Sequence, residues 1–336
     1  MVPERIETER LILRKFKKED VDKIYKSWSN PQNYRYNEIT WNKDEVAKML
    51  NYEWPTSWGN YYFIAEDKKT GETVATLRFG KYWNSKPEDM VWDFGYNAFR
   101  SDDKGEYTVE DIKKAFAPNG VTKDKNWGRG YASEMIGAVL DVAKQEGVKS
   151  FNVGASIKNY ASLKVMLKNG FEFSKIDEDN DYELILDLTK DIKIPTKEQM
   201  EKIWDNFTKM AEKDLQDSKL KKKINKDEIN HYYKAIMYLT FNKVYNASKL
   251  ENEGVENNTD EIKRLKNNVV EIFKGLTAKE RSNFMKYLTK FENACKQRVG
   301  SEYGNERNNI RLKLCKQVKE LYENNKSMFQ LNEIIK

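Results

Sequence analysis

The hydrophobic periodicity of the chain changes kind near Pro195, and no single regular architecture accommodates both parts. Before that residue, short β-type runs alternate with helical patterns. After it, the apolar residues keep only the three-to-four spacing of a helix face. A chain of 336 residues suits two domains. The boundary is expected at 192/193. Leu184-Ile185-Leu186-Asp187-Leu188 reads as a last strand, a charged connector follows, and Thr196-Lys197-Glu198-Gln199 is a capping box that opens a helix.

In the first part, Arg10-Leu11-Ile12-Leu13-Arg14 alternates as a strand and precedes a helix from about Glu19 to Trp28. Asn30-Pro31 ends that helix, because a residue before proline avoids the α region. A second helix is expected from about Lys43 to Tyr52. Tyr61–Glu66, Thr73–Phe79 and Met90–Tyr96 read as strands, the first two joined by the hairpin signal Lys69-Thr70-Gly71-Glu72. The polar stretch Phe99–Asn126 holds one helix pattern, Val109–Phe116. A glycine-rich turn, a long amphipathic helix Ala132–Gln145, a strand Phe151–Ser156, a helix Leu163–Lys168 and strands Phe171–Ile176 and Tyr182–Leu188 complete a mixed α/β layer.

Behind Pro195 about five helices are expected, with a loop at Gly254–Asn258 and a second capping box, Thr277-Ala278-Lys279-Glu280. Residues 1–194 hold 31 Lys and Arg against 33 Asp and Glu, and the remainder 29 against 21. A basic second part permits an acidic partner, and a solvated bundle surface is its more ordinary explanation. The runs Lys219–Lys223 and Arg307–Arg311 form no continuous stripe. Nucleic acid therefore ranks below dimerisation and docking of a protein partner. No run approaches the ~18 apolar residues of a membrane span, and a soluble cytoplasmic protein is expected. Cys295 and Cys315 fit no zinc spacing, so buried thiols and no metal are expected. The one histidine, His231, lies in an aromatic helical stretch far from the candidate site, poor material for a Ser/His/Asp or Cys/His hydrolase.

The segment Lys125-Asn126-Trp127-Gly128-Arg129-Gly130-Tyr131-Ala132 stands directly before a long helix. Its glycines let the backbone turn tightly and aim several N–H groups one way, and the helix adds the positive end of its dipole. Such a turn suits a diphosphate. It lacks the Gly-Lys-Ser/Thr of a Walker loop and the three-glycine dinucleotide spacing. About thirty residues on, Asn159-Tyr160-Ala161-Ser162 is followed by Lys168-Asn169-Gly170-Phe171. The chain opens with Ile6-Glu7-Thr8-Glu9-Arg10-Leu11-Ile12-Leu13-Arg14, and carries Asn30-Pro31 with Tyr34-Arg35-Tyr36 and then Asp93-Phe94-Gly95-Tyr96. Over about residues 4–190 these motifs resemble the GCN5-related N-acetyltransferases (GNAT), in particular the subgroup of ribosomal-protein alanine N-acetyltransferases. The family's loop is usually Gln/Arg-x-x-Gly-x-Gly/Ala, and Lys125 stands where Gln or Arg is commoner. The resemblance implies an α/β (mixed α+β) GNAT fold with a central mixed sheet over residues 1–192. It does not extend to the all-helical bundle domain, 193–336.

What the resemblance implies chemically is an acyl-CoA N-acyltransferase. Acetyl-CoA is its co-substrate, attacked directly by a primary amine of a protein N-terminus, a side chain or a small molecule. Lys125 and the backbone amides of Trp127, Gly128, Arg129, Gly130 and Tyr131 would hold the phosphates, with the Arg129 side chain in support. Asn159 would fix the cofactor arm or its own loop. Ser162 would partner the coenzyme A sulfur, or cap a helix as serines do. Many relatives place a tyrosine four residues beyond this serine as general acid. Met166 stands there and has no proton to give, so thiolate protonation falls to Ser162 or water. Asp93 is the candidate general base, with a solvent-facing strand carboxylate as the plain alternative. Phe99–Asn126 is long for a link the family makes in fewer than ten residues, and is expected to wall or cover the acceptor groove. The missing tyrosine motivates a second reading, an idle acyl-CoA-binding module acting as regulator or scaffold through its helical domain.

Overall fold

A computed structural model describes residues 2–34, 42–50, 60–82, 85–253, 258–299 and 305–334. Arg35 and Tyr36 of the Asn30–Tyr36 motif, the Tyr52 end of the second helix, and residues 254–257 of the expected loop lie outside them. The described elements run β1 (Arg5–Glu7), β2 (Leu11–Lys15), α1 (Val21–Trp28), α2 (Pro31–Tyr34), α3 (Lys43–Leu50), β3 (Asn60–Asp67), β4 (Thr73–Lys81) and β5 (Val91–Ala98). They continue through α4 (Val109–Phe116), α5 (Tyr131–Gln145), β6 (Ser150–Ser156), α6 (Tyr160–Lys168), β7 (Glu172–Ile176) and β8 (Asp181–Asp187). Helices α7 (Lys197–Asp214), α8 (Ser218–Glu253), α9 (Thr259–Lys274), α10 (Ala278–Arg298), α11 (Asn305–Asn324) and α12 (Lys326–Ile334) complete the chain. Both expected capping boxes form: Thr196 with Gln199 and Thr277 with Glu280 exchange backbone-to-side-chain bonds of 2.8–3.2 Å.

The strands form one sheet in the order β1-β2-β3-β4-β5-β6-β8-β7. Every neighbouring pair is antiparallel except β5 and β6. Those two pair in parallel through two rungs only, Val91 with Ser150 and Trp92 with Phe151. Beyond them β5 stays bonded to β4 as far as Ala98, and β6 to β8 as far as Ser156. The sheet is therefore split down its middle from Asp93 and Asn152 onward. Phe94, Phe151 and Phe171 cluster at the closed end of the split, with ring centroids 5.6–6.3 Å apart. Strand alternation puts Leu11, Leu13, Phe63, Leu77, Phe79 and Val153 on one core with Ile136 and Val139 of α5. Phe16, Ile24, Tyr25, Val46, Ile64 and Phe99 form a second cluster with α1 and α3.

Packing divides the chain into two compact units. The first reaches Asp227 and leaves out Glu106–Thr122; the second takes in Glu106–Thr122 and everything from Glu228 on. The division falls later than the change of composition at 192/193 because α7 and the first turns of α8 place Met200, Phe207, Ala211 and Ile224 in the sheet's own core. Phe207 stacks on Trp204 and meets Tyr182 edge-on at 5.3 Å, and the Tyr182 hydroxyl donates to Asp214 Oδ2 at 2.6 Å. The long Phe99–Asn126 link is divided likewise. Its helix α4 belongs to the second unit, where Phe116 meets Tyr232 edge-on at 5.7 Å and Lys113 Nζ donates to the Gly275 carbonyl at 2.6 Å.

In the second unit Phe241, Phe273, Phe284 and Leu288 are fully buried. The Arg281 guanidinium donates to the carbonyls of Phe273 and Leu276, satisfying the C-terminal end of α9. Cys295 and Cys315 are buried free thiols, and burial pushes Cys315 up to about 12. Among the described residues no helix is long and apolar enough to cross a membrane.

Two measurements check this packing. Phe207→Ala is expected to destabilise the first unit by about 3–5 kcal/mol, as large-to-small core changes do, read as a lower denaturation midpoint. At the β7–β8 turn, burial and then Asp177, Asp179 and Asp227 push the Asp181 carboxyl up to about 7. A raised carboxyl binds its proton more tightly folded than unfolded. Its contribution is thus complete below the unfolded pKa near 4 and disappears as pH rises through about 7. Asp181→Asn is expected to melt about 2–4 °C higher than wild type at pH 8, with the difference vanishing at pH 4.

Candidate active site

Gly130 is the N-cap of α5, in the left-handed conformation at φ 85°, and offers no side chain to the helix. Helices α4, α6, α7 and α10 begin on a capping side chain, whereas α1 and α9, like α5, do not. The first N–H groups of a helix have no acceptor inside it. Here, among the described residues, the amides of Gly128, Arg129, Gly130 and Tyr131 make no hydrogen bond. Gly128 also has a left-handed φ of 75°, and a Cβ there would meet none of the described residues within 4 Å. The amide of Trp127 is not part of this set: it donates to the Asp124 carbonyl at 3.0 Å. Turn closure thus removes Trp127 from the expected amide donors. Its indole N–H is buried without a partner among the described residues, and the Arg100 guanidinium lies 4.9 Å over its ring. Lys125 is exposed beside the turn.

The turn is braced by two residues distant in sequence, Arg10 just before β2 and Asp67 at the end of β3. Arg10 Nη1 donates to the Arg129 carbonyl and Arg10 Nε to Glu134 Oε2, both at 2.7 Å. Arg10 and Arg129 lie over the Tyr131 ring, each 5.0 Å from its centroid, so two guanidinium groups sit at the head of α5. The Tyr131 side chain is buried and its hydroxyl donates to Asp67 Oδ2. Only the backbone of Tyr131 is left to a ligand. That bond, with the amides of Thr70 and Lys69, holds the Asp67 carboxyl below its ordinary range. Asp67 in turn ties the β3–β4 hairpin, accepting from the Lys69 and Thr70 amides.

At the split, Asp93 is the first β5 residue beyond the last shared rung. Both of its oxygens accept from Arg78, each at 2.8 Å, and Arg78 Nη1 also donates to Asn60 Oδ1 at 3.0 Å. Burial opposes the Arg78 charge, yet its bonds to Asp93 leave the guanidinium pKa raised. On the far side of the split, Asn159 Oδ1 caps α6 by accepting from the Ser162 amide at 3.3 Å. The cap expected as the alternative role of Ser162 is thus taken by Asn159, and Ser162 lies inside the first turn of α6. The Ser162 hydroxyl instead accepts from Tyr96 at 3.3 Å. Met166 lies one turn further along α6, 3% exposed in the core.

Gly128–Tyr131 thus stand at the head of α5, Asp93 and Ser162 on opposite sides of one split, and Asn159 at the cap that holds the Ser162 amide. Sequence reading gave no individual role to Arg10, Asp67, Arg78 or Tyr96. Arg10 and Tyr96 lay inside recognised motifs; Arg78 and Asp67 carried no local signal, because their partners come from other elements.

Residues 10–172 match the family model of the acetyltransferase (GNAT) domain. This segment is a GNAT domain. Among curated proteins the chain is similar to an uncharacterized N-acetyltransferase, p20, of Bacillus licheniformis, 26% identical over 188 residues that cover 54% of this chain and 88% of that protein. Among solved structures it is similar to a GNAT-family acetyltransferase from Bacillus anthracis, 17% identical, covering 55% of this chain and 99% of the other with a TM-score of 0.42. A spermidine N-acetyltransferase from Vibrio cholerae, solved with CoA and spermine, is 14% identical over 54% of this chain and 97% of its own, with a TM-score of 0.41.

Alanine at Gly130 of the GNAT domain would carry a left-handed φ, costing about 1–2 kcal/mol, and its Cβ would stand 3.2 Å from Arg10 Nη2. Gly130→Ala is expected to weaken binding of coenzyme A by about tenfold or more in calorimetry, the equivalent of about 1.4 kcal/mol. An unchanged affinity would detach the turn from the ligand.

Proposed function

We propose that the GNAT domain transfers an acetyl group from acetyl-CoA to a primary amine that attacks the thioester directly. The observation that carries this reading is the pairing of two unfilled features, the open amides at the head of α5 and the split between β5 and β6. The diphosphate of acetyl-CoA would lie on the amides of Gly128–Tyr131, with Arg129 beside it and Lys125 within the same turn. The extended arm would enter the split and use backbone groups that β5 and β6 do not share with each other. An N–H on that edge of β5 would polarise the thioester carbonyl and stabilise the oxyanion formed on attack.

The acceptor would approach from the side of Asp93. A primary amine is cationic until it loses a proton, and the Tyr82 pKa is raised by burial and then by the charges of Glu183, Asp177 and Asp93. That acidic surrounding supports an amine acceptor, in a protein or a small molecule. Asp93 is poorly placed to be the base, since each of its oxygens already takes a guanidinium hydrogen. Its role in this reading is to hold Arg78 at the mouth of the split, and the amine is deprotonated by solvent before attack.

The test is thiol release from acetyl-CoA across a panel of amines and pH values. Release is expected only with an amine present. The rising limb of kcat/KM is expected to follow the acceptor's own pKa, near 7.7–8.0 for a peptide α-amine and toward about 10.4 for a lysine-type amine. One midpoint shared by both acceptors would restore an enzymic base. Binding of acetyl-CoA without amine-dependent release would favour the idle module.

A further inference from the structure

We propose that Tyr96 and Ser162 act as one hydroxyl pair that presents a single hydrogen to the sulfur leaving group, with Tyr96 as the positioning residue and Ser162 as the group that touches sulfur. This pairing presupposes the acetyl transfer proposed above, and it supplies what Met166 cannot.

Tyr96 lies on the stretch of β5 that has parted from β6, and its hydroxyl reaches α6, the helix that follows β6. The bond therefore spans the split. Two hydroxyls carry two hydrogens, and one bond between them uses one. With Tyr96 as donor, the Ser162 oxygen is occupied on that side and its own hydrogen is directed elsewhere. The Ser162 amide is held by Asn159, which fixes the first turn of α6. At 3.3 Å the bond is long for two hydroxyls, as catalytic hydrogen bonds often are before a ligand tightens them.

The pair donates a hydrogen bond and not a proton. Burial pushes the Tyr96 phenol up to about 12, against about 8.5 for a thiol. Outright transfer from phenol to thiolate would thus be uphill roughly a thousandfold or more. The balance of the step needs no outside acid. The amine nitrogen forms its bond to the acetyl carbon, the carbon–sulfur bond breaks with its electron pair going to sulfur, and the hydrogen bond from Ser162 stabilises the charge there. The proton that finally neutralises the thiolate is one the nitrogen sheds as it becomes an amide.

Two single variants, their double and one conservative change decide the matter in the full-length protein. Tyr96→Phe is expected to lower kcat by roughly two- to tenfold, the rate equivalent of one neutral hydrogen bond. Its KM for acetyl-CoA and its melting temperature are expected to stay at wild-type values. Ser162→Ala is expected to lose more, Ser162→Thr to keep most of the activity, and the double variant to be no slower than Ser162→Ala alone, as for residues acting as a unit. A Tyr96→Phe enzyme with unaltered kcat, or losses that multiply in the double variant, would overturn the pairing while leaving acetyl transfer intact. Absence of amine-dependent thiol release in the wild type would instead overturn the transfer itself.

Discussion

A strand in the middle of a sheet that stops pairing leaves a row of backbone donors and acceptors on each facing edge, and such groups are costly unless something satisfies them. That is the condition of β5 and β6 after their second rung. The split cannot be repaired by the strands themselves. β5 is held by seven rungs to β4 and β6 by seven to β8, and the aromatic cluster of Phe94, Phe151 and Phe171 fills the closed end. The fold thus spends one interior ladder to keep a slot whose walls are peptide groups. The open head of α5 adds the same kind of vacancy, a helix start without a side-chain cap.

Distant parts of the chain converge to hold these open features still. Arg10, just before β2, fixes the Arg129 carbonyl, Glu134 anchors Arg10, and Asp67 at the end of β3 receives Tyr131. The turn is therefore held through its carbonyls and side chains, while among the described residues the amides of Gly128–Tyr131 stay unengaged. An anion at such a site meets donors already aimed, with little ordering left to be done. The two guanidinium groups over Tyr131 raise the local positive potential without occupying the amides.

Much of this was legible in the sequence, for reasons that are local. Alternation fixed most strands, the capping boxes at Thr196 and Thr277 announced α7 and α10, and glycines ahead of an apolar helix announced the turn. What escaped depends on groups far apart in sequence. The split in the sheet is a matter of which strands pair and for how long, and no run of residues encodes that by itself. Asp93 reads as a free carboxylate until Arg78, from the neighbouring strand, is seen to hold both its oxygens. The amide of Trp127 belongs to the glycine turn in sequence, yet closing the turn on Asp124 takes it away. Likewise, composition changes near Pro195 while the sheet's core continues to Ile224, because an amphipathic helix carries no mark of which layer its apolar face will cover.

The central claim is that main-chain donors ahead of α5 receive the diphosphate of coenzyme A. Its most direct test follows the amide resonances of Gly128, Arg129, Gly130 and Tyr131 in isotope-labelled protein as coenzyme A is added. Saturable downfield shifts at these four positions, absent when pantetheine without its phosphates is used, are the predicted result. Binding of coenzyme A that leaves all four unmoved would contradict the account.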